Sequence, residues 1–337
     1  MVKSAPMPLG ISSLTRADAR FAFAFALRLF GRDRTLVRRI HNEALVVVLN
    51  LHRVSPDASP FWPPLRPEAF DQLVRFLRAN FPVVTLAQLA QLDRKSGAVV
   101  LSFDDGYRDF VEHACPILAA HGVRANMNVI PECVRTGQAI WNVALYDALQ
   151  AAPFSLIREL RVPGFTRRLE GNGEDEKARF AARLSLHLKD RARGERESLL
   201  AEVARWKDRV EVTTPTRVMD ANDVREAARV HEIGAHSFSH ESMAHETDAF
   251  FADDVSRCRT FFRDELELPL SIYAFPNGSY RRAQVDYLLG NGFDHVLLVD
   301  EKMGRSTAKV LPRISVFAPT VPELVMQALG QQARGVA

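Results

Sequence analysis

The chain has 337 residues, of which 47% are hydrophobic and 25% charged, close to the average for soluble globular proteins, so wholesale disorder is not expected. It has no uncharged apolar run of about 18 residues, so the sequence predicts no membrane-spanning helix. The formal net charge of +3 is too small for a general nucleic-acid binder. Three cysteines without a CxxC pair exclude a disulfide scaffold and a cysteine-based zinc site. They are typical of buried thiols in a reducing compartment, and we expect a cytoplasmic protein.

Residues 1–43 form a basic, amphipathic N-terminal segment that we expect to be helical. It carries eight Lys/Arg against three Asp/Glu, and an apolar stretch runs from Phe21 to Phe30, interrupted by Arg28. A secretory signal needs a longer charge-free core and a small-residue cleavage site, and this stretch has neither. Two interpretations stay open. The segment is a helix packed on the domain, or an interfacial helix that contacts an anionic membrane from its inner face through residues 14–40.

From residue 44 to 320, apolar runs alternate with helical stretches, which predicts an α/β protein with largely parallel strands. The predicted strands are 44–51, 98–103, 124–130, 232–235, 270–275, 294–299 and 313–317. The predicted helices are 68–80, one that ends near residue 121, 220–230, 248–266 and 284–289.

Residues 136–214 interrupt this alternation. Between 151 and 214, 14 Lys/Arg and 11 Asp/Glu share 64 positions with leucines at helical intervals. We expect a charged helical insertion or lid there, with little core of its own. Residues 321–337 are expected to be a C-terminal tail.

Two adjacent carboxylates, Asp104 and Asp105, follow a predicted buried strand and precede Gly106. α/β barrels place their active sites at the carboxyl ends of their strands. Because neighbouring side chains diverge there, one carboxylate can bind a metal while the other accepts a proton. The structural alternative is a helix N-cap followed by a turn glycine, since Asp is a favoured cap residue.

Two further segments follow predicted strands. In Gly-Ala-His-Ser-Phe-Ser-His, residues 234–240, the two histidines can converge on one ion if the residues between them form a turn. With a strand-end Asp they offer two imidazoles and one carboxylate, which leaves coordination positions open for water and substrate. In residues 275–278, Phe-Pro-Asn-Gly forms either an ordinary surface turn or a tight turn whose backbone N–H groups point outward.

The ordered combination of Phe-Asp-Asp-Gly, His-Ser-Phe-Ser-His and Phe-Pro-Asn-Gly resembles the polysaccharide deacetylase family, carbohydrate esterase family 4, with its NodB-homology domain. The similarity covers about residues 44–135 and 215–317, with further matches at residues 49–54, 218–220 and 311–314. It implies an irregular (β/α) barrel over 44–320 that carries the helical insertion 136–214. It also implies a hydrolase that uses a divalent metal to remove N-acetyl groups from a glycan or glycan precursor.

The resemblance also implies roles for individual residues. The implied metal ligands are Asp105, His236 and His240, and the implied catalytic base is Asp104. The implied oxyanion donor is the backbone N–H of Asn277, and the implied substrate-binding residues are Pro276 and Tyr280. Zinc suits a His2Asp set, although other first-row ions also accept it.

Two departures from the common family pattern concern an arginine and the catalytic acid. The third motif lacks its usual arginine, and no histidine follows residue 295. An exopolysaccharide-type subgroup has permuted motifs with the acid histidine on an N-terminal strand, which His52 matches. In this hypothesis Arg313, at the start of a predicted late strand, replaces the missing arginine and orients Asp104. The alternatives are a capped strand-end residue for His52 and a surface ion pair for Arg313.

Three functions stay open. The first is a metal-dependent N-deacetylase whose partner is an N-acetylated saccharide. The second is a catalytically impaired carbohydrate-binding barrel, favoured by the missing third-motif arginine and disfavoured by the Asp-His-His set. The third is a barrel glycosidase that uses Asp104 with a distant carboxylate, which leaves the two histidines without a role.

Overall fold

Continuous apolar runs form strands that are buried on both faces, as in parallel sheets covered by helices. The computed structural model describes residues 16–57, 61, 63–92, 96–166, 168–189 and 191–337, with side chains from residue 19 onward. The strands are β1 (Leu45–Leu51), β2 (Ala98–Asp104), β3 (Asn126–Val129), β4 (Glu232–Ala235), β5 (Ile272–Ala274), β6 (His295–Leu298), β7 (Gly304–Arg305) and β8 (Val310–Ser315). The α-helices are α1 (Arg16–Leu29), α2 (Arg32–Asn42), α3 (Pro67–Asn80), α4 (Cys115–Ala120), α5 (Pro131–Thr136), α6 (Trp141–Ala151), α7 (Phe154–Glu159), α8 (Glu174–Lys189), α9 (Arg193–Lys207), α10 (Ala221–Ala228), α11 (Asp248–Phe261), α12 (Arg282–Gly290) and α13 (Val321–Ala328).

Seven parallel strands close into a barrel in the order β1-β2-β3-β4-β5-β6-β8, because β8 and β2 both pair with β1. The short β7 pairs antiparallel with the start of β1. The expected α/β barrel is therefore confirmed. All seven predicted strands are present; β4 has the predicted ends, and the other six are shifted at one end or both. The largest shift is in β8, which begins at Val310, so Arg313 lies in the middle of the strand and not at its start.

The barrel interior changes from apolar to polar along the strands. Apolar side chains of the interior form one cluster that includes Val48, Val100 and Leu311. Nearer the carboxyl ends of the strands, Ser102 and Asn128 are buried and hydrogen-bond to each other. This polar end is the edge at which the sequence predicts the site.

The insertion has a hydrophobic core of its own, so the expectation that it has little core is wrong. Its buried apolar residues come from α6 to α9 and the segments between them; examples are Leu145, Leu149, Phe180, Leu184 and Trp206. The pairs spaced four residues apart lie on one face of their helix, so the many charges of the segment occupy the other faces.

Both ends of the described chain pack on the barrel. Residues 321–337, expected to be a tail, include α13, whose Leu324 and Val325 are fully buried in the main core. Helix α1 lies against α13, and its Ala24 is buried in the main core. Cys133 and Cys258 are buried as expected, whereas Cys115 is half-buried, and all three are free thiols. In the described residues, no helix combines the length and apolar character needed to span a membrane.

Candidate active site and metal centre

Three side chains from two strand ends converge as a candidate metal-binding cluster. Asp105 follows β2, and His236 and His240 follow β4. Asp105 Oδ1 lies 3.5 Å from His236 Nε2 and 3.4 Å from His240 Nε2. The three ligand atoms lie within 4.8 Å of one another, and all three side chains are buried. Asp105 and His240 have φ values of 75° and 60°, a left-handed conformation that non-glycine residues rarely adopt and that is often found at functional sites.

The chemistry of this cluster fits a divalent cation. Asp105 Oδ1 is buried and has no hydrogen-bond partner among the residues that the structure describes. Burial raises the pKa of Asp105, although the nearby His52 opposes the shift. Burial lowers the pKa of His236. Burial and the neighbouring His236 lower the pKa of His240. Both shifts favour the neutral imidazoles that bind metals. Two imidazoles and a carboxylate oxygen without a hydrogen-bond partner are a donor set for a first-row metal such as zinc.

The tautomer of His236 suits a ligand role. Its Nδ1 lies 2.9 Å from the carbonyl oxygen of Ala274 at the end of β5. Because a carbonyl oxygen only accepts, Nδ1 donates, and in the neutral ring the lone pair is then on Nε2, the atom that faces Asp105.

The turn between the two histidines is held by Asp254 of α11, a residue that the motifs did not indicate. Its carboxylate accepts hydrogen bonds from Ser237 Oγ (3.0 Å), the backbone N–H of Phe238 (2.9 Å) and Tyr273 Oη (3.1 Å). Burial raises the pKa of Asp254 to about 6, even though these bonds oppose the shift. The turn that brings His240 back to His236 is therefore fixed from the neighbouring helix.

The two oxygens of Asp104 have different surroundings. Oδ1 accepts from Arg313 Nη1 at 2.7 Å and from Asn128 Nδ2 at 2.8 Å, whereas Oδ2 lies 3.7 Å from His236 Nε2. Burial alone would raise the pKa of Asp104, but the charge and hydrogen bond of Arg313 hold it well below its usual value. Asp104 is therefore a fixed, ionised carboxylate with one oxygen facing the metal cluster.

Arg313 is a barrel-interior residue, so its alternative as a surface ion pair is wrong. Its side chain is 0% exposed and that of Asp104 is 2% exposed. Arg313 Nη1 also lies 3.1 Å from Ser102 Oγ, and Nε donates to the carbonyl oxygen of Leu298 at 3.3 Å. The position on β8 places this guanidinium below the site, where it pairs with Asp104.

Arg313→Met is expected to destabilise the protein by about 3–5 kcal/mol, because it leaves Asp104 as an unpaired buried charge. Arg217→Met is the matched control, since Arg217 pairs with Glu112 at 2.8 Å on the surface and such pairs contribute about 0–1 kcal/mol. Urea unfolding followed by circular dichroism gives both free energies. Equal small losses in the two variants would contradict the importance of the buried pair.

His52 follows β1 and lies on the same edge of the barrel. The β1–β2 register pairs Asn50 with Ser102 and Leu51 with Phe103, so His52 is level with Asp104. Burial lowers the pKa of His52, while the charges of Asp105 and Asp104 favour its protonated form. His295, in contrast, is the first residue of β6 and lies at the opposite end of the barrel.

The third motif, residues 275–278, lies beside the histidine loop, by which we mean residues 236–242. Residues 276–278 form a single 3₁₀ turn, in which Asn277 is exposed with φ 57°. Asn277 Nδ2 donates at 3.0 Å to the Oγ of Ser242, which lies two residues after His240 in the chain. Pro276 is buried, and the hydroxyl of the half-buried Tyr280 bonds to Asp300 at 3.1 Å. This turn is therefore hydrogen-bonded to the histidine loop, and the Tyr280 hydroxyl is hydrogen-bonded to a carboxylate.

The helical insertion contacts the histidine loop through residues that the motifs did not indicate. Arg196 of α9 forms a buried ion pair with Glu241, the residue after His240. Arg193 Nη1 donates to Ser239 Oγ at 2.7 Å. Lys189, the last residue of α8, has a pKa lowered by burial and raised in part by the charge of Asp105. The insertion therefore brings cationic side chains to the edge of the candidate site.

Comparison with known proteins agrees with this geometry. Residues 206–296, which include both histidines of the cluster, match the family model described as polysaccharide deacetylase. This segment of the chain is therefore similar to the polysaccharide deacetylase family. No curated protein matches the chain.

Several solved structures are similar to this fold. The deacetylase PplD of Streptococcus pyogenes, in complex with acetate, is 14% identical over 85% of this chain and 98% of its own, with a TM-score of 0.53. IcaB from Ammonifex degensii is 16% identical over 85% of this chain and 97% of its own, also with a TM-score of 0.53. The putative polysaccharide deacetylase BA0330 from Bacillus anthracis is 11% identical, covers 85% and 69% of the two chains, and has a TM-score of 0.52. At these identities the likeness concerns the fold.

Proposed function

We propose that this protein is a polysaccharide deacetylase, a metal-dependent hydrolase that removes N-acetyl groups from a glycan or glycan precursor. The observation that carries the proposal is the buried cluster of Asp105, His236 and His240 directly beside the ionised Asp104. When bound there, a divalent metal such as zinc supplies Lewis acidity toward the acetyl carbonyl and toward water.

The residues of the chain divide the remaining work. Asp104 Oδ2 accepts the proton of the attacking water as the new C–O bond forms at the acetyl carbon. Arg313 and Asn128 hold Oδ1, so the accepting oxygen keeps its orientation. The backbone N–H of Asn277 donates to the developing oxyanion. Protonated His52 gives its proton to the nitrogen as the C–N bond breaks, and acetate and a free amine leave.

The alternative functions have less support. The carbohydrate-binding hypothesis rests on the missing third-motif arginine, yet Arg313 supplies a guanidinium to Asp104 from β8. A glycosidase would leave both histidines of the cluster without a role. Pro276 and Tyr280 remain our proposed substrate-binding residues.

Acetate release from a panel of N-acetylhexosamine polymers and lipid-linked sugars, with and without a chelator, tests the proposal. We expect release that the chelator abolishes and that added metal restores. No release from any member of the panel by the metal-loaded protein would contradict it.

His236→Ala is expected to lose bound metal and activity together while the barrel stays folded, because one of three protein ligands is removed. His121→Ala is the matched control, because His121 is not part of the cluster; its Nε2 lies 2.7 Å from Asp71 Oδ1. Metal content by elemental analysis and acetate release are measured on both variants. A His236→Ala protein with full metal and full rate would remove this cluster from consideration.

A further inference from the structure

The outer face of α1 is an apolar surface that the described part of the protein leaves uncovered. Among the described residues, nine large apolar side chains are exposed, and five of them lie within ten positions at α1 and the turn after it: Phe21, Phe23, Phe25, Leu29 and Phe30. The last two are 72% and 86% exposed. A contiguous apolar patch on a folded surface is typical of an interaction site.

This face is uncovered although the helix itself is docked. Ala24 is buried and Leu27 packs on the main core, so the inner side of α1 is in contact with the domain. Phe21, Phe25 and Leu29 are spaced by four residues and form one stripe on the outer side, where the rings of Phe21 and Phe25 stack with centroids 6.0 Å apart.

Arginines border the apolar surface. Residues 19–43 contain six Arg and two acidic residues, and both acids are paired, Asp33 with Arg28 and Glu43 with Arg39. On α2, the exposed Arg34 and Arg38 have no ion-pair partner in the described part of the chain. The region therefore presents aromatic side chains next to unneutralised positive charge.

We propose that α1 and α2 bind the surface of an anionic phospholipid bilayer. The stripe of Phe21, Phe25 and Leu29 enters the boundary between headgroups and acyl chains, and the arginines of α2 contact phosphate groups. Charge complementarity favours this occupant over a second copy of the chain, because pairing two such surfaces would bring two arginine-rich helices together. Both interpretations of the N-terminal segment then hold: the helix packs on the domain with one face and on lipid with the other.

Sedimentation with vesicles tests the proposal on the full chain. We expect binding to vesicles that contain phosphatidylglycerol, weaker binding to pure phosphatidylcholine, and release by salt. The triple variant Phe21→Ser, Phe25→Ser, Leu29→Ser should lower affinity by on the order of tenfold or more. Arg34→Gln with Arg38→Gln should reduce the preference for the anionic lipid. Leu186→Ser with Val230→Ser, which removes exposed apolar side chains elsewhere, is the matched control and should bind as the wild type does.

Acetate release from a soluble substrate should be equal in all these proteins, because none of the changed residues lies in the candidate site. Equal vesicle binding by the triple variant and the wild type would overturn the proposal. The absence of vesicle binding by the wild type would also overturn it. One such case is a wild-type protein that is a dimer in solution and a triple variant that is a monomer.

Discussion

Asp104→Asn is expected to lower kcat for acetate release by about 10²–10⁴-fold while metal content stays unchanged, because the substitution removes the proposed base and no metal ligand. Asn is the closest available replacement in shape, and its amide oxygen can still accept from Arg313 and Asn128 as Oδ1 does. The oxygen that faces His236 is the one that changes in chemistry. Acetate release and elemental analysis on the same preparation separate the two effects.

Asp105→Asn is the paired variant that makes this test sharp. This substitution removes the charge of the carboxylate whose Oδ1 faces both histidines. We therefore expect weaker metal binding in a protein that is still folded. Identical metal loss in both variants would show that the two carboxylates do not divide the roles as proposed. Urea unfolding of Asp104→Asn is needed as well, because Arg313 loses its buried counter-ion.

The parts of the site that the sequence predicts come from short-range patterns. Asp104 and Asp105 directly follow a buried apolar run, and His236 and His240 follow another, so strand ends can be read without any tertiary information. In a parallel barrel these ends meet on one edge, which is why a resemblance spread over separated motifs predicts one compact site.

The polar interior below the site depends on the register of the strands, which local sequence patterns do not show. Asn128 reaches Asp104 because β3 pairs with β2 at Asp104, and Arg313 reaches it across 209 positions of the chain. A local pattern alone does not distinguish Arg313 from the other arginines, because the β-branched run that would mark its strand is short; its predicted pairing with Asp104 comes from the hypothesis that it replaces the missing third-motif arginine. The missing information is long-range pairing.

The insertion shows a second reason for an incomplete prediction. High charge density concealed pairs of apolar residues at helical spacing, such as Leu145 with Leu149 and Phe180 with Leu184, because composition averages over the faces of a helix. The contacts of Arg196 with Glu241 and of Arg193 with Ser239 then link that separate core to the histidine loop. Charged side chains that look solvated in the sequence are in fact the connection between insertion and site.

The role of His52 depends on the difficulty of expelling an amine. An amide anion is a very poor leaving group, so the nitrogen must be protonated as the C–N bond breaks, and a positioned acid typically contributes about 10²–10⁴-fold. A histidine suits this task because its unperturbed pKa lies near neutrality. His52 is level with Asp104 on the adjacent strand, and the charges of Asp105 and Asp104 favour its protonated form against the effect of burial.

His52→Ala is therefore expected to keep bound metal and substrate affinity but to lose about 10²–10⁴-fold in kcat on N-acetylated glycans. An activated aryl acetate ester has a leaving group that needs no proton, so its hydrolysis should fall much less. The measurement is kcat and KM for both substrates in the wild type and the variant, with His295→Ala as the control, because His295 lies at the opposite end of the barrel. Equal losses on the amide and the activated ester would rule out the acid role, and an unchanged rate on both would leave His52 a structural residue at the end of β1.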